Sequence, residues 1–120
     1  MANNCVLVTG GKGDIGKTVV NRILQMTNND LVVTTTAVNA ISDFDSNRVE
    51  LIEMDASVVD SVNTAAKKIA DYPVSHFIQL HGHSKQNDRL MGQTSQSLAY
   101  HFNVNVFSTI FILDKILAGM

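Results

Sequence analysis

The chain has 120 residues, 45% hydrophobic and 17% charged, with a formal net charge of −2 and a single cysteine, Cys5. It is read as one small domain, residues 1–120, able to bury roughly two-thirds of its unfolded surface, with no charge excess to attract nucleic acid or an anionic membrane and no intrachain disulfide. The opening Met-Ala-Asn-Asn-Cys lacks the basic and apolar regions of a signal peptide. The most apolar run, Val104 to Leu117, is broken by Asn105, Ser108, Thr109, Asp114 and Lys115 and falls short of the ~20 residues of a membrane span; a cytoplasmic protein is expected.

Cys5 to Thr9 predicts a short buried strand, followed by a glycine-rich loop and a helix over about Asp14 to Met26, with Ile15, Val19, Ile23 and Met26 at helical spacing. Asn28-Asn29-Asp30 is a turn cluster, and the β-branched run Leu31 to Thr36 predicts a second buried strand. Ala37 to Arg48 fits a short helix or turn. Val49 to Met54 predicts a third strand, ending at Asp55. Ser57 with Asp60 resembles a capping box opening a helix, whose inner stripe is Val59, Val62, Ala66 and Ile69 and which Tyr72-Pro73 closes. Val74 to Leu80 predicts a fourth strand; His81-Gly82-His83-Ser84 is a loop, and polar sequence from Lys85 to Gln96 leads to a long apolar helix, about Ser97 to Ala118.

Strands alternating with helices imply an α/β fold with a parallel sheet, which binds ligands beyond the carboxyl ends of its strands. The loop after the first strand fits two phosphate-binding patterns. Gly10, Gly13 and Gly16 fit the glycine-rich turn of a dinucleotide-binding fold, whereas Gly11, Gly16, Lys17 and Thr18 fit the P-loop GxxxxGK[ST]. In the second reading Lys17 clamps phosphate and Thr18 binds Mg²⁺, as in the dethiobiotin synthetase and MinD/ParA-type enzymes that the loop resembles. Such an enzyme also wants an acidic residue after a buried apolar strand. Here Leu51-Ile52-Glu53-Met54 places a glutamate within the strand before Asp55.

The whole chain resembles the amino-terminal half of the short-chain dehydrogenase/reductase family. Val6 to Gly16 is similar to that family's opening strand and Thr-Gly-x-x-x-Gly-x-Gly loop, with Thr9, Gly10 and Gly16 matching and Asp14 in a slot usually held by Gly or Ala. Read in the TGxxGxxG variant, Gly13 supplies the third glycine. Asp55-Ala56 resembles the family's Asp-Val pair, which implies an adenine contact. Gln79-Leu80-His81-Gly82 stands where the family has Asn-Asn-Ala-Gly, only Gly82 matching, and Asn105-Val106-Phe107-Ser108 resembles its Asn-Leu/Val-x-Gly segment. The resemblance implies a Rossmann-like doubly wound parallel sheet of order 3-2-1-4, incomplete at its carboxyl end. It implies a cofactor site at Thr9, Gly10, Lys12, Gly13, Asp14, Ile15, Gly16, Thr36, Asp55, Ala56 and Gly82, with Asn105 in a supporting catalytic role.

The cofactor implied is NADP or NAD. Leu31 to Asn39 holds no acidic residue for ribose hydroxyls, and Lys12, Thr35 or Thr36 could serve a ribose phosphate, so NADP is preferred narrowly. The family's chemistry is hydride transfer between a nicotinamide and an alcohol or carbonyl substrate, using a serine and a YxxxK pair. Here His76 follows four residues after Tyr72, and Val104 follows Tyr100 at the same spacing, so the chain is expected to be the cofactor half of such an enzyme and inactive alone; a non-catalytic dinucleotide-binding module is a further alternative. His81, His83 and His101 lack the further ligands of a metal site, and no metal is expected. The apolar helix (about 97–118) and the edge of the fourth strand are expected to drive homo-oligomerisation.

Overall fold

The computed structural model describes residues 4–11, 13–36, 44, 47–82 and 94–120. Four parallel strands, β1 (Cys5–Thr9), β2 (Asp30–Thr35), β3 (Val49–Glu53) and β4 (Val74–Gln79), form one sheet in the order β3-β2-β1-β4. Leu7 lies beside Val32 on one side and Phe77 on the other. Every residue of β1 is buried, because the central strand is covered on both faces, and this is why its sequence is apolar without alternation.

The two faces divide the side chains by parity. Cys5, Leu7 and Val32 point into a cluster with Ile52, Val62, Ala66, Ile69, Ile112 and Ile116, under helices α2 (Val59–Ile69) and α4 (Ser108–Ile116). Val6, Val8, Leu31 and Val33 point to the opposite side, against Val20 of helix α1 (Asp14–Met26) and Phe44. The doubly wound fold and the 3-2-1-4 order are those expected. Cys5 is a buried free thiol whose pKa is pushed up, chiefly by desolvation.

Three local expectations change. α1 buries Gly16 and Val20, whereas Ile15 and Met26 are 71% and 70% exposed; the helix seats on the sheet through a glycine, which rotates the expected stripe outward. α2 begins at Val59 after an N-cap, Val58, that makes no side-chain cap. Ser57 is occupied elsewhere, its amide and hydroxyl both donating to Asp55 Oδ1 at 3.0 and 2.6 Å, and Val59 is exposed while Ala65 is buried. The carboxyl-terminal helix is one helical run, Ser95–Gly119, built from α3 (Ser95–Phe102), a π-turn (Asn103–Phe107), α4 and a closing 3₁₀ turn (Leu117–Gly119).

That run opens on a capping box, Thr94 Oγ1 accepting from Ser97 N while Ser97 Oγ accepts from Thr94 N. By length and composition alone this 25-residue run could cross a bilayer, its apolar 18-residue stretch having a mean hydropathy of 1.3. In the fold it lies along the sheet instead, burying Val104, Ser108, Ile112 and Ile116. The turn or short helix expected over Ala37 to Arg48 falls outside the described residues except at Phe44, Asn47 and Arg48. Arg48 ties the open end of α1 to the sheet: its guanidinium donates to the carbonyl oxygens of Leu24, Thr27 and Asn29.

Candidate functional site

The carboxyl ends of β1, β2, β3 and β4 open on a single cleft. β1 and its loop contribute Gly10 and Gly13, β2 contributes Thr34 to Thr36, and the segment after β3 contributes Met54 to Ser57. The end of β4 contributes Leu80, His81 and Gly82, and the last helical run closes the cleft with Tyr100 and Val104.

Two backbone-to-backbone approaches shape the loop. Gly10 has φ +71°, and a Cβ there would stand 2.7 Å from the backbone nitrogen of His81; a side chain is excluded both by the left-handed conformation and by the neighbouring chain. A Cβ on Gly16 would stand 2.4 Å from the carbonyl oxygen of Gly10, so α1 begins in direct backbone contact with the loop. Gly13, by contrast, has room: its nearest heavy atom is 3.8 Å away. Gly10 N–H donates to Thr34 Oγ1 (3.2 Å) and Gly11 N–H to Thr34 O (3.2 Å), which fixes the loop to β2. Gly13, the N-cap of α1, supplies no side-chain cap. The amides of the first turn thus start a helix whose positive dipole end faces the cleft, a ready anion site, and only Asp14 at the first turn opposes negative charge there.

This geometry decides between the two phosphate patterns. α1 starts at Asp14, so Gly16, Lys17 and Thr18 already lie inside the helix instead of opening it, as a P-loop requires. Lys17 N–H donates to Gly13 O, and the Thr18 hydroxyl donates to Asp14 O at 3.1 Å within the helix. The loop does not have the P-loop's helix start.

The predicted site residues divide accordingly. Thr9 and Gly16 are buried supports of the loop, whereas Gly10, Gly13, Thr36, Asp55, Ala56 and Gly82 line the cleft. Asp14 and Ile15 are exposed on the first turn of α1. Lys12 and His83 lie outside the described residues. Asp55 is anchored at both ends, its N–H donating to Ser61 Oγ (2.8 Å) and its Oδ1 accepting from Ser57. Asn105 sits in the π-turn, where Ser108 N–H donates five residues back to Asn103 O. A Cβ on Gly82 would lie 3.4 Å from Asn105 Oδ1, so the structure brings together two motifs 23 positions apart.

Thr34, Leu80, Tyr100 and Val104 also form the cleft and carry no motif signal. His81, expected as a polar loop histidine, is the most engaged of the missed residues. Its Nδ1 lies 2.7 Å from Thr9 Oγ1 and its Nε2 2.7 Å from Ser108 Oγ. Ser108 donates its hydroxyl proton to Val104 O at 2.7 Å, so its oxygen accepts from His81, and Nε2 carries the proton. Desolvation pushes the imidazole pKa below the ordinary 6.5, against a smaller opposing effect from the Val104 backbone. No group of three or more metal-ligating side chains occurs among the described residues.

No family model and no curated protein matches the sequence. Solved structures do match. A short-chain dehydrogenase family protein from Francisella tularensis superposes with a TM-score of 0.83 at 20% identity, over 98% of this chain and 47% of that one. The NADPH-bound carbonyl reductase from chicken fatty liver superposes at 0.78 and 15% identity, over 97% and 48% of the two chains. ElxO with NADP bound gives 0.78 at 20%, over 96% and 49%. This chain spans about half the length of each, and across that span it has the fold of the short-chain dehydrogenases.

Proposed function

We propose that the chain is the dinucleotide-binding portion of an NADP(H)- or NAD(H)-dependent oxidoreductase of the short-chain dehydrogenase type. The observation that carries this reading is the contact of Gly16 with Gly10 at the uncapped start of α1: a backbone-to-backbone approach that a Cβ on Gly16 would break, placed at a helix N-terminus beyond the carboxyl ends of a parallel sheet. In this reading the amides of Asp14 to Gly16 hold the pyrophosphate, Asp55 and Ala56 border the adenine, Thr36 borders its ribose, and Gly82 and Asn105 stand toward the nicotinamide. A bound nicotinamide supplies or accepts hydride. The chain's own residues bind and orient it, and the reaction proposed for the complete protein is alcohol–carbonyl interconversion on a small-molecule substrate. Among the 120 residues no tyrosine is followed by lysine four positions later, so this segment by itself is proposed to be inactive. The cytoplasmic location expected from the sequence belongs to the same proposal.

NADP is preferred because Thr34-Thr35 at the end of β2 and Thr36 just after it bring no carboxylate to meet ribose hydroxyls. The exposed apolar side chains of the last helical run, among them Phe102, Phe107, Ile110 and Leu117, are proposed to pair with a second copy; a clean monomer in sedimentation at tens of micromolar would overturn that. Titrating the chain with NADPH and NADH, followed by nicotinamide fluorescence, tests the main reading. Saturable binding that Gly16→Val abolishes supports it, and no binding of either dinucleotide overturns it. Charge reversal at Lys12 should weaken NADPH more than NADH; equal effects would remove the argument for a phosphate contact there.

A further inference from the structure

Two places where the sequence departs from the family pattern meet in space. His81 stands in the alanine position of Asn-Asn-Ala-Gly and Ser108 in the final glycine position of Asn-Leu/Val-x-Gly, and the two are joined by a 2.7 Å hydrogen bond. The other side of the same ring reaches Thr9 at the end of β1. One imidazole thus spans the end of the central strand and the first residue of α4, directly after the π-turn that carries Asn105.

We propose that His81 is a positioning residue that fixes the Asn105 π-turn against the cleft, donating from Nε2 to Ser108 and accepting at Nδ1 from Thr9, and that it exchanges no proton with a ligand. The hydrogen-bond count carries this. Ser108 has one proton and spends it on Val104 O, so Nε2 must donate; both ring nitrogens are then engaged, and the ring offers only carbon to the cleft that it lines. Thr9 and Ser108 are 0% and 1% exposed, so water does not substitute for either bond. A second link, from Thr109 Oγ1 to Gln79 Oε1, ties the same helix to β4 one residue later and serves as a control, because it touches neither ring nitrogen.

The inference rests on the proposed site for its purpose, not for its test. Nitrogen-15 NMR of the full chain at pH 7 should show His81 as the Nε2–H tautomer with an unprotonated Nδ1. An Nδ1–H tautomer or a solvent-averaged ring overturns the proposal. Amide exchange at Asn105 to Ser108 is then followed in Ser108→Ala, His81→Ala and the double variant. Ser108→Ala should speed exchange about tenfold in the wild-type background and less than twofold when His81 is already absent. Equal acceleration in both backgrounds overturns it. Thr109→Val should leave the His81 tautomer unchanged. Should His81→Ala not fold, His81→Gln replaces it in the cycle. Failure of the chain to bind NADPH would remove the ligand reading and leave this test intact.

Discussion

Asn105 Oδ1 and Gly82 face each other across the open end of the sheet, close enough that a methyl group on Gly82 would sit 3.4 Å from that oxygen. This is ordinary contact for alanine, and a β-branched side chain brings further atoms to the same neighbourhood. Gly82→Ala should leave the thermal midpoint within about 2 °C of wild type, as expected for an exposed position. Gly82→Val should displace the Asn105 side chain, seen as movement of its amide signal in NMR.

Gly10 is a different kind of glycine. Alanine there meets both a positive φ and the His81 backbone at 2.7 Å. The conformational strain alone is of order 1–3 kcal/mol, and the clash adds to it, so Gly10→Ala should lower the unfolding free energy by about 2–4 kcal/mol. Chemical denaturation measures this directly.

Arg48 offers a stability test remote from the cleft. Its guanidinium donates to Leu24 O in the last turn of α1, to the C-cap Thr27 O and to Asn29 O in the turn before β2, and the residue is half-buried. Arg48→Ala should cost about 1–3 kcal/mol by removing charge-assisted bonds to helix-end carbonyls. Arg48→Lys, with one ammonium in place of a fork, should recover only part of it.

His81 also predicts a pH dependence. Its folded-state pKa lies below the ordinary histidine value of 6.5, so the unfolded chain binds the proton more readily. The contribution of neutral His81 is fully present above about pH 6.5 and is lost as pH falls from there through the folded-state value. The thermal midpoint should drop on acidification below pH 6.5, and His81→Gln should flatten that part of the curve.

The sheet was legible because β1 and β2 run apolar or β-branched without alternation, as strands buried on both faces do, and because turn residues separate the segments. The loop was legible as a phosphate site but ambiguous in kind. Gly10, Gly13 and Gly16 satisfy one pattern and Gly11, Gly16, Lys17 and Thr18 the other, and the start of α1 at Asp14 separates them in the structure. Ile15 and Met26 misled because helical spacing does not reveal that α1 docks through Gly16, which contributes no hydrophobic signal. Ser57 misled for a similar reason: a hydroxyl near a helix start can cap it or bond its neighbour, and Asp55 captures it first. His81 was invisible as a support because its partners lie 72 and 27 positions away. One signal was available: the simultaneous departure of positions 81 and 108 from the motifs that surround them.

The footprint of NADPH on the backbone amides of the chain, read by NMR, tests the dinucleotide site directly. NADPH should produce saturable shifts at Gly10 to Gly16, Thr36, Asp55 to Ser57 and Leu80 to Gly82, and Mg²⁺-ATP none. Shifts produced by Mg²⁺-ATP alone and centred on Gly16 to Thr18, or no response to NADPH and NADH, would contradict it.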